Sequence, residues 1–368
     1  MSTQTAPLAF SVTEASRLPV AERDAILQSP GFGDYFTDHM VSIDWSISEG
    51  WHNAEVIPYG PLQLDPASSV LHYGQEIFEG LKAYRHADGS VWTFRPEENA
   101  KRLNESARRL ALPELPVETF VEALRQLVTL DADWVPDGAD SSLYIRPFMI
   151  ANENFLGVRS AQKARFLIIA SPAGPYFTGG VKPVSIWLST EFSRAGHGGT
   201  GEAKCGGNYA SSLLPQNEAA ANGCQQVLFL DSRTEDTIDE LGGMNLFLVA
   251  DEGNTLITPA LNGNILHGIT RASLIQLAKN RGMAVEERQV TVSEWREGAA
   301  SGRITEAFAC GTAAVITPIG ALKSPDFTVE MGAEPGSVTL SLRAELTGTQ
   351  TGAVADANGW MLQLTEAK

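Results

Sequence analysis

Lysine is scarce in this chain, with eight against 19 arginines, and one of the eight has an unusual setting. In GTGEAKCGGNYASSL (199–213), Lys204 lies between glycine clusters, Tyr209 follows five residues later, and the spacing predicts a helix starting near Ser211. A phosphate loop of the G-x-x-x-x-G-K-[ST] type needs glycine before the lysine and a hydroxyl after it. Ala203 and Cys205 hold those places, which excludes it. Two readings stay open: a surface loop with a solvated lysine, or a lysine kept from water by small neighbours. Glu202 is the only carboxylate close to it in sequence. Glycines there let backbone or a flat ligand approach closely. A desolvated lysine is the form that makes Schiff bases with aldehydes.

A second candidate is TIDELGGMNLFLV (237–249), which places Glu240 at a strand end before a Gly242–Gly243 turn. Such a glutamate either faces water on a hairpin or is held beside a ring nitrogen. A carboxylate opposite a pyridinium keeps that nitrogen protonated and makes the ring an electron sink. Two segments could hold an anion. In LHGITRASLIQLAK (266–279) a helix is expected from Ile269, so the N–H groups of Ile269 and Thr270 would point beyond its N-terminus. In ACGTAAV (309–315) Gly311 and Thr312 follow a strand, where a turn can present a hydroxyl and N–H groups. Each alone is more commonly an ordinary cap or loop.

Aromatic and cationic residues form the last group: Phe32, Tyr73, Phe78, Tyr144, Arg146 and Tyr176. Most aromatics at such spacing are core. Arg146, inside the apolar strand Leu143–Ile150, needs a buried anionic partner or a substrate carboxylate. No metal is expected: H-E-x-x-H and Cys/His ligand spacings are absent, as are G-x-S-x-G and a helix-opening G-x-G-x-x-G.

The elements that must position these residues are legible in part. SLYIRPFMIA (142–151) and RFLIIAS (165–171) read as buried strands. PEENAKRLNESARRL (96–110) starts with a proline suited to a first helical turn and places Ala100, Leu103, Ala107 and Leu110 on one stripe. VETFVEALRQLVTL (117–130) is a second amphipathic helix. Beyond the glycine-rich stretches near 179 and 195, strands at QQVLFLD, MNLFLVAD, AVEERQV and ITEAFACG interleave with helices. This gives mixed α/β (α+β) architecture in both halves, with a domain over 1–178, an interdomain loop at 179–190 and a second domain over 191–368. Periodicity cannot order the strands.

The chain of 368 residues carries a formal charge of -17, which argues against nucleic acid and against docking to anionic membranes. Three cysteines without a C-x-x-C pair suit a reducing compartment. The N-terminus has neither signal-peptide nor transit-peptide character, so a cytoplasmic location is expected. The longest uncharged run, Ala307 to Leu322, reads as buried strands joined by turns.

In this order, FTDHM (36–40), LHYGQEIFEGLKAYR (71–85), RLNESARRL (102–110), LYIRPF (143–148), GTGEAKCGGNYASSL, DELGGMNLF, LHGITR and FACGTAAVITP resemble the branched-chain amino acid aminotransferases. These are class IV pyridoxal-phosphate enzymes, and the FTDHM opening is similar to their longer branch. The resemblance implies the two-domain type IV fold, with a smaller N-terminal α/β domain and a larger C-terminal cofactor-binding domain. It implies transfer of the amino group of L-leucine, L-isoleucine or L-valine to 2-oxoglutarate, reversibly, yielding glutamate and branched-chain 2-oxo acids. Relatives of the same fold, a D-amino-acid transaminase or an aminodeoxychorismate lyase, are the alternative. A homodimer is implied.

The same resemblance assigns roles. Lys204 would form the Schiff base with pyridoxal 5'-phosphate, Tyr209 would bond its phenolic oxygen, and Glu240 would pair with its ring nitrogen. Arg102, Ile269, Thr270 and Thr312 would bind the phosphate, and Arg194 would lie near the cofactor. Tyr144, Arg146, Gly243, Ala313 and Ala314 would meet substrate carboxylates, and Phe32, Tyr73, Phe78 and Tyr176 would wall the side-chain pocket. Three departures stand out. Ala314 and Thr317 occupy the positions of a C-x-x-C redox pair in mammalian members, so no thiol switch is expected. Gly243 replaces a threonine, and His267 stands where proline is usual.

Overall fold

The computed structural model describes residues 8–138, 140–175, 180–234 and 236–367. Tyr176, one of the pocket candidates, lies outside the described residues. Contacts gather the chain into two units: residues 1–176, 203–206 and 348–368 in the first, and residues 177–202 and 207–347 in the second.

The first unit opens with β1 (Ser11–Val12), β2 (His39–Ser46), β3 (Gly50–Pro58), β4 (Glu76–Phe78), β5 (Leu81–Arg85), β6 (Val91–Phe94), β7 (Ser142–Ala151) and β8 (Lys163–Ala173). The second unit holds β9 (Val184–Leu188), β10 (Gln226–Leu230), β11 (Ile238–Leu241), β12 (Asn245–Ala250), β13 (Thr255–Pro259), β14 (Ala284–Arg288), β15 (Ile304–Gly311), β16 (Val315–Lys323) and β17 (Thr328–Glu330). The last strand, β18 (Met361–Thr365), returns to the first sheet, whose order is β1-β3-β2-β8-β7-β5-β6-β18 with β4 on β7. The second sheet runs β11-β10-β9-β16-β15-β12-β13-β14, with β17 on β16.

In the first unit, the predicted strand at 142–151 is β7 to the residue. Its exposure alternates: Leu143, Ile145 and Met149 are buried, while Tyr144, Arg146 and Phe148 are half-buried on the opposite face. That period of two is what the pleat requires, and it sets Arg146 on the more open face of the strand. Helix Pro96–Arg109 begins with proline at its start, carries Glu97 and Glu98 in its first turn and ends on Arg108 and Arg109. Charges so placed complement the helix dipole. Its stripe of Ala100, Leu103 and Ala107 packs with Phe120, Leu124 and Leu127 of helix Val117–Leu130 in the first core.

The second unit buries Leu246, Leu248, Ile257, Trp295, Ala307 and Leu322 in its own core. The uncharged run Ala307–Leu322 is the β15–β16 hairpin, as expected. One expectation shifts. The helix predicted near Ser211 is two pieces, Gly206–Ala210 and Leu213–Ala221. The hydroxyls of Ser211 and Ser212 both donate to the Asn208 carbonyl, competing for a helical acceptor. Pro215 has no N–H to continue the ladder across the junction. No helix among the described residues is long and apolar enough to cross a membrane.

Candidate active site

Lys204 belongs to the first unit, where its backbone is tied on both sides. Its N–H donates to the Ser106 hydroxyl at 2.9 Å, and its carbonyl accepts the Phe78 N–H at 2.9 Å. Two residues on, the Gly206 N–H donates to the Glu76 carboxylate. The Lys204 ammonium sits over the Phe78 ring, 4.6 Å from its centroid, in a half-buried position. The loop is therefore strapped to β4 and to helix Pro96–Arg109, and it is not a free surface loop.

The same ring carries Arg146, whose guanidinium carbon is 4.8 Å from the Phe78 centroid and 5.4 Å from that of Tyr144. Arg146 also donates to the Tyr144 hydroxyl at 3.2 Å, and its Nε is buried without a hydrogen-bond partner. Among the described residues no ion pair satisfies it. Phe32 meets Tyr144 edge-on at 5.0 Å. Phe32, Tyr144, Arg146, Phe78 and Lys204 thus form one continuous set of contacts. Tyr73 stands apart from it, 44% exposed, with its hydroxyl donating to the Leu156 carbonyl.

Arg102 is buried and paired through two bonds with Glu79, Nε to Oε1 and Nη2 to Oε2, each 2.8 Å. Asn99 adds a third donor to Glu79 at 2.7 Å. Glu79 is fully buried, and its backbone N–H donates to the Pro147 carbonyl on β7 at 2.7 Å. A buried glutamate thereby fixes the plane of the Arg102 guanidinium, as a bidentate pair does. Glycine is required at position 80, where a Cβ would fall 2.2 Å from the Tyr144 hydroxyl.

In the second unit Glu240, at the end of β11, is 2% exposed. Arg194 lies 2.9 Å from its Oε1, the Leu266 N–H donates to Oε1 at 3.0 Å, and Asn245 donates to Oε2 at 3.0 Å. Both carboxylate oxygens are thereby engaged inside the core. Arg194 also donates to the carbonyls of Gly201 and Asn264, while its Nε is buried and unpartnered. Neighbouring Asp239 points elsewhere, bonded by Asn262 and Asn264, and burial raises its pKa above the usual carboxylate range.

Helix Ile269–Asn280 starts at Gly268 with no side-chain cap, so the N–H groups of Ile269 and Thr270 keep their donor capacity toward an anion. A Cβ at Gly268 would fall 1.9 Å from Asn245 Oδ1, which packs this N-terminus against the residue that orients Glu240. Thr312, Ala313 and Ala314 form the turn of the β15–β16 hairpin, between paired Gly311 and Val315. A Cβ at Gly311 would be 3.2 Å from Met244, and one at Gly243 would be 3.6 Å from the Tyr209 ring. Gly243, Met244, Tyr209 and Gly311 are therefore neighbours.

Five contributors escaped the sequence reading: Glu76, Glu79, Asn99, Ser106 and Asn245. A usable signal existed for two of them, since Glu76 and Glu79 are acids flanking the apolar pair Ile77–Phe78. The three cysteines are free and buried, and burial pushes the Cys310 thiol up.

Comparison with known proteins gives the family. A family model described as amino-transferase class IV matches residues 76–322. The branched-chain-amino-acid aminotransferase of Mycolicibacterium smegmatis is 59% identical over 365 residues, covering 97% of this chain and 99% of that protein. Among solved structures, the branched-chain amino acid aminotransferase of Escherichia coli superposes with a TM-score of 0.72 at 29% identity, over 88% of this chain and 100% of that one. The enzyme of the same name from Thermobaculum terrenum, solved in its PLP form, gives a TM-score of 0.71 at 26% identity, over 88% and 98%. The chain belongs to the class IV aminotransferases, and within them to the branched-chain-amino-acid aminotransferases.

Proposed function

We propose that this enzyme moves the amino group of L-leucine, L-isoleucine or L-valine to 2-oxoglutarate, reversibly, with pyridoxal 5'-phosphate as its cofactor. The observation that carries the acceptor is Arg146: a half-buried cation on an aromatic face, with a buried, unpartnered Nε, against the same Phe78 ring that Lys204 contacts. Such a site takes a carboxylate on its cation and an apolar side chain on its rings.

Each unit holds donors suited to a phosphorylated pyridine aldehyde: the first a half-buried lysine, the second a buried carboxylate paired with Arg194 and an uncapped helix N-terminus. When bound, the cofactor supplies the electron sink that lets an amino group be exchanged for a carbonyl oxygen. In this reading Lys204 is the point of covalent attachment. With substrate bound, the freed Lys204 amine would take the substrate Cα proton and give it back later in the same half-reaction. The base stays tethered beside the carbon it serves, which replaces a bimolecular encounter by a local one. Glu240 would face the ring nitrogen and favour its protonated form, and Arg194 and Asn245 hold Glu240 in place. Tyr209 bonds the phenolic oxygen. Arg102, the N–H groups of Ile269 and Thr270, and Thr312 would take the phosphate, and the resemblance implies these contacts.

Tyr144, Arg146, Gly243, Ala313 and Ala314 would receive substrate carboxylates, while Phe32 and Phe78 would contact the side chain. The halves of the reaction balance. In the first half water supplies the carbonyl oxygen with which the donor leaves as a 2-oxo acid while its amino group stays with the holoenzyme; in the second, 2-oxoglutarate collects that group as glutamate and its carbonyl oxygen leaves as water, giving ping-pong kinetics. The test is the visible absorbance of the holoenzyme. L-Leucine bleaches it and 2-oxoglutarate restores it, whereas D-alanine leaves it unchanged. Bleaching by D-alanine, or none by L-leucine, would sink the reading.

A further inference from the structure

One pocket must accept both an isobutyl group and a carboxyethyl group, so something has to stop Arg146 from favouring the anion too strongly. The register of the first sheet places an acid where it can do this. β4 pairs antiparallel with β7, Phe78 opposite Phe148 and Glu76 opposite Ile150. Residues two apart on a strand share a face, so Glu76 and Phe78 lie on the same face as Arg146 and Phe148. Lys82, opposite Tyr144 on β5, lies farther along that face.

Glu76 is not free to swing away. Its Oε1 accepts the Gly206 N–H, and a Cβ at Gly206 would fall 2.3 Å from that oxygen. The carboxylate is therefore seated against the Lys204 loop, while Lys204 and Arg146 share the Phe78 ring. Burial raises the Glu76 pKa, while the Gly206 N–H and the Arg146 charge both favour the ionised form. Charges in such a partly desolvated setting act on one another more strongly than in water.

We propose that Glu76 is a specificity-determining residue, its fixed negative charge on the Arg146 face of β4 and β7 opposing a second carboxylate there and keeping the pocket open to apolar side chains. The inference rests on the reading of Arg146 as the receiver of the 2-oxoglutarate side chain. Glu76 acts through charge, and its backbone anchorage of the Lys204 loop is separable from that, because glutamine keeps an oxygen acceptor for Gly206.

The test uses holoenzyme and two unreactive probes, glutarate and 4-methylpentanoate, whose dissociation constants are read from changes in cofactor absorbance or by calorimetry. Glu76→Gln should shift the ratio of the two affinities about fivefold toward glutarate, and the KM ratio of 2-oxoglutarate to L-leucine should move the same way. A ratio unchanged in Glu76→Gln, with glutarate binding still weakened by Arg146→Ala, would overturn the role of Glu76 and leave the Arg146 reading standing. Glutarate binding untouched by Arg146→Ala would overturn the Arg146 reading itself. In the double variant the glutarate gain should vanish; its persistence would show that the charge does not work through Arg146 and would also overturn the proposal. An unfolding midpoint for Glu76→Gln close to that of the parent confirms that the ratio reports the site, and Glu76→Asp, which restores the charge, should return the ratio toward the parent value.

Discussion

At the scale of single residues, the first unit depends on a buried charge pair that local sequence does not announce. Glu79 and Arg102 lie 23 positions apart, and their two 2.8 Å bonds place both charges out of water. Removing one partner of such a pair strands the other, which costs about 3–5 kcal/mol and exceeds what the intact pair contributes. Glu79→Ala should therefore lower the unfolding free energy by about that amount, and it should weaken cofactor retention as well, because the Arg102 fork loses the acceptor that sets its plane. Denaturant unfolding and the dissociation constant for pyridoxal 5'-phosphate are the two measurements. Retention unchanged alongside lost stability would separate Arg102 from phosphate binding. The contrast with Lys204 is instructive. Its glycine-flanked setting was visible in sequence, whereas Ser106 and Glu76, which strap its backbone, lie about a hundred residues or more upstream and became apparent only in the fold.

At the scale of elements, legibility followed locality. Strand 142–151 and helix 96–109 were readable because their patterns are complete within ten to fourteen residues. The break between Ala210 and Leu213 was not, since it depends on serine hydroxyls choosing a backbone carbonyl over solvent. FTDHM was legible as a resemblance, and the structure supplies its physical purpose. Asp38 accepts the Leu18 N–H at 3.0 Å and the Trp134 indole N–H at 2.8 Å. His39, fully buried, accepts the Ala15 N–H at Nε2, so its proton resides on Nδ1 and is given to Asp131 at 2.6 Å. The start of β2 thus pins the segment that precedes it. Burial raises the Asp131 pKa, and bonding from His39 opposes that rise. In sign, a raised folded pKa means the folded state holds the proton more tightly, so stability falls as pH rises from the unfolded value through the folded one. His39→Phe removes the opposing bond and pushes Asp131 higher still. It should cost about 2–4 kcal/mol at neutral pH and distinctly less below the unfolded Asp131 value of 3.8, where the carboxyl is protonated in both states. Urea unfolding at the two pH values checks this; an equal loss at both would assign the effect to packing alone.

At the scale of the whole molecule, the surplus of 17 negative charges coexists with buried cations at Arg102, Arg194 and Arg271, each in an ion pair with a carboxylate. Net charge describes the surface and was a poor guide to the interior. The pairing least visible from sequence joins Leu362 to Thr93, far apart along the chain. β18 runs antiparallel to β6, with Leu362 opposite Thr93 and Gln363 opposite Trp92. Leu364 is 3% exposed in the first core, and Arg125 donates to the Gln363 carbonyl at 3.0 Å. No local pattern orders such a strand, because its partner is chosen by the sheet edge that β6 leaves open. Removing residues 348–368 should therefore act on the first unit. Burial of one leucine stabilises by about 1.5–3 kcal/mol, and each ladder bond adds about 1 kcal/mol net. Together these approach the stability of an ordinary domain, about 5–15 kcal/mol. The truncated chain should lose the cooperative unfolding transition of its first unit and become sensitive to protease within residues 8–138, while Leu364→Ala in the full chain keeps that transition at a lower midpoint. A truncated chain that melts like the parent would mean that β18 covers the β6 edge without stabilising it.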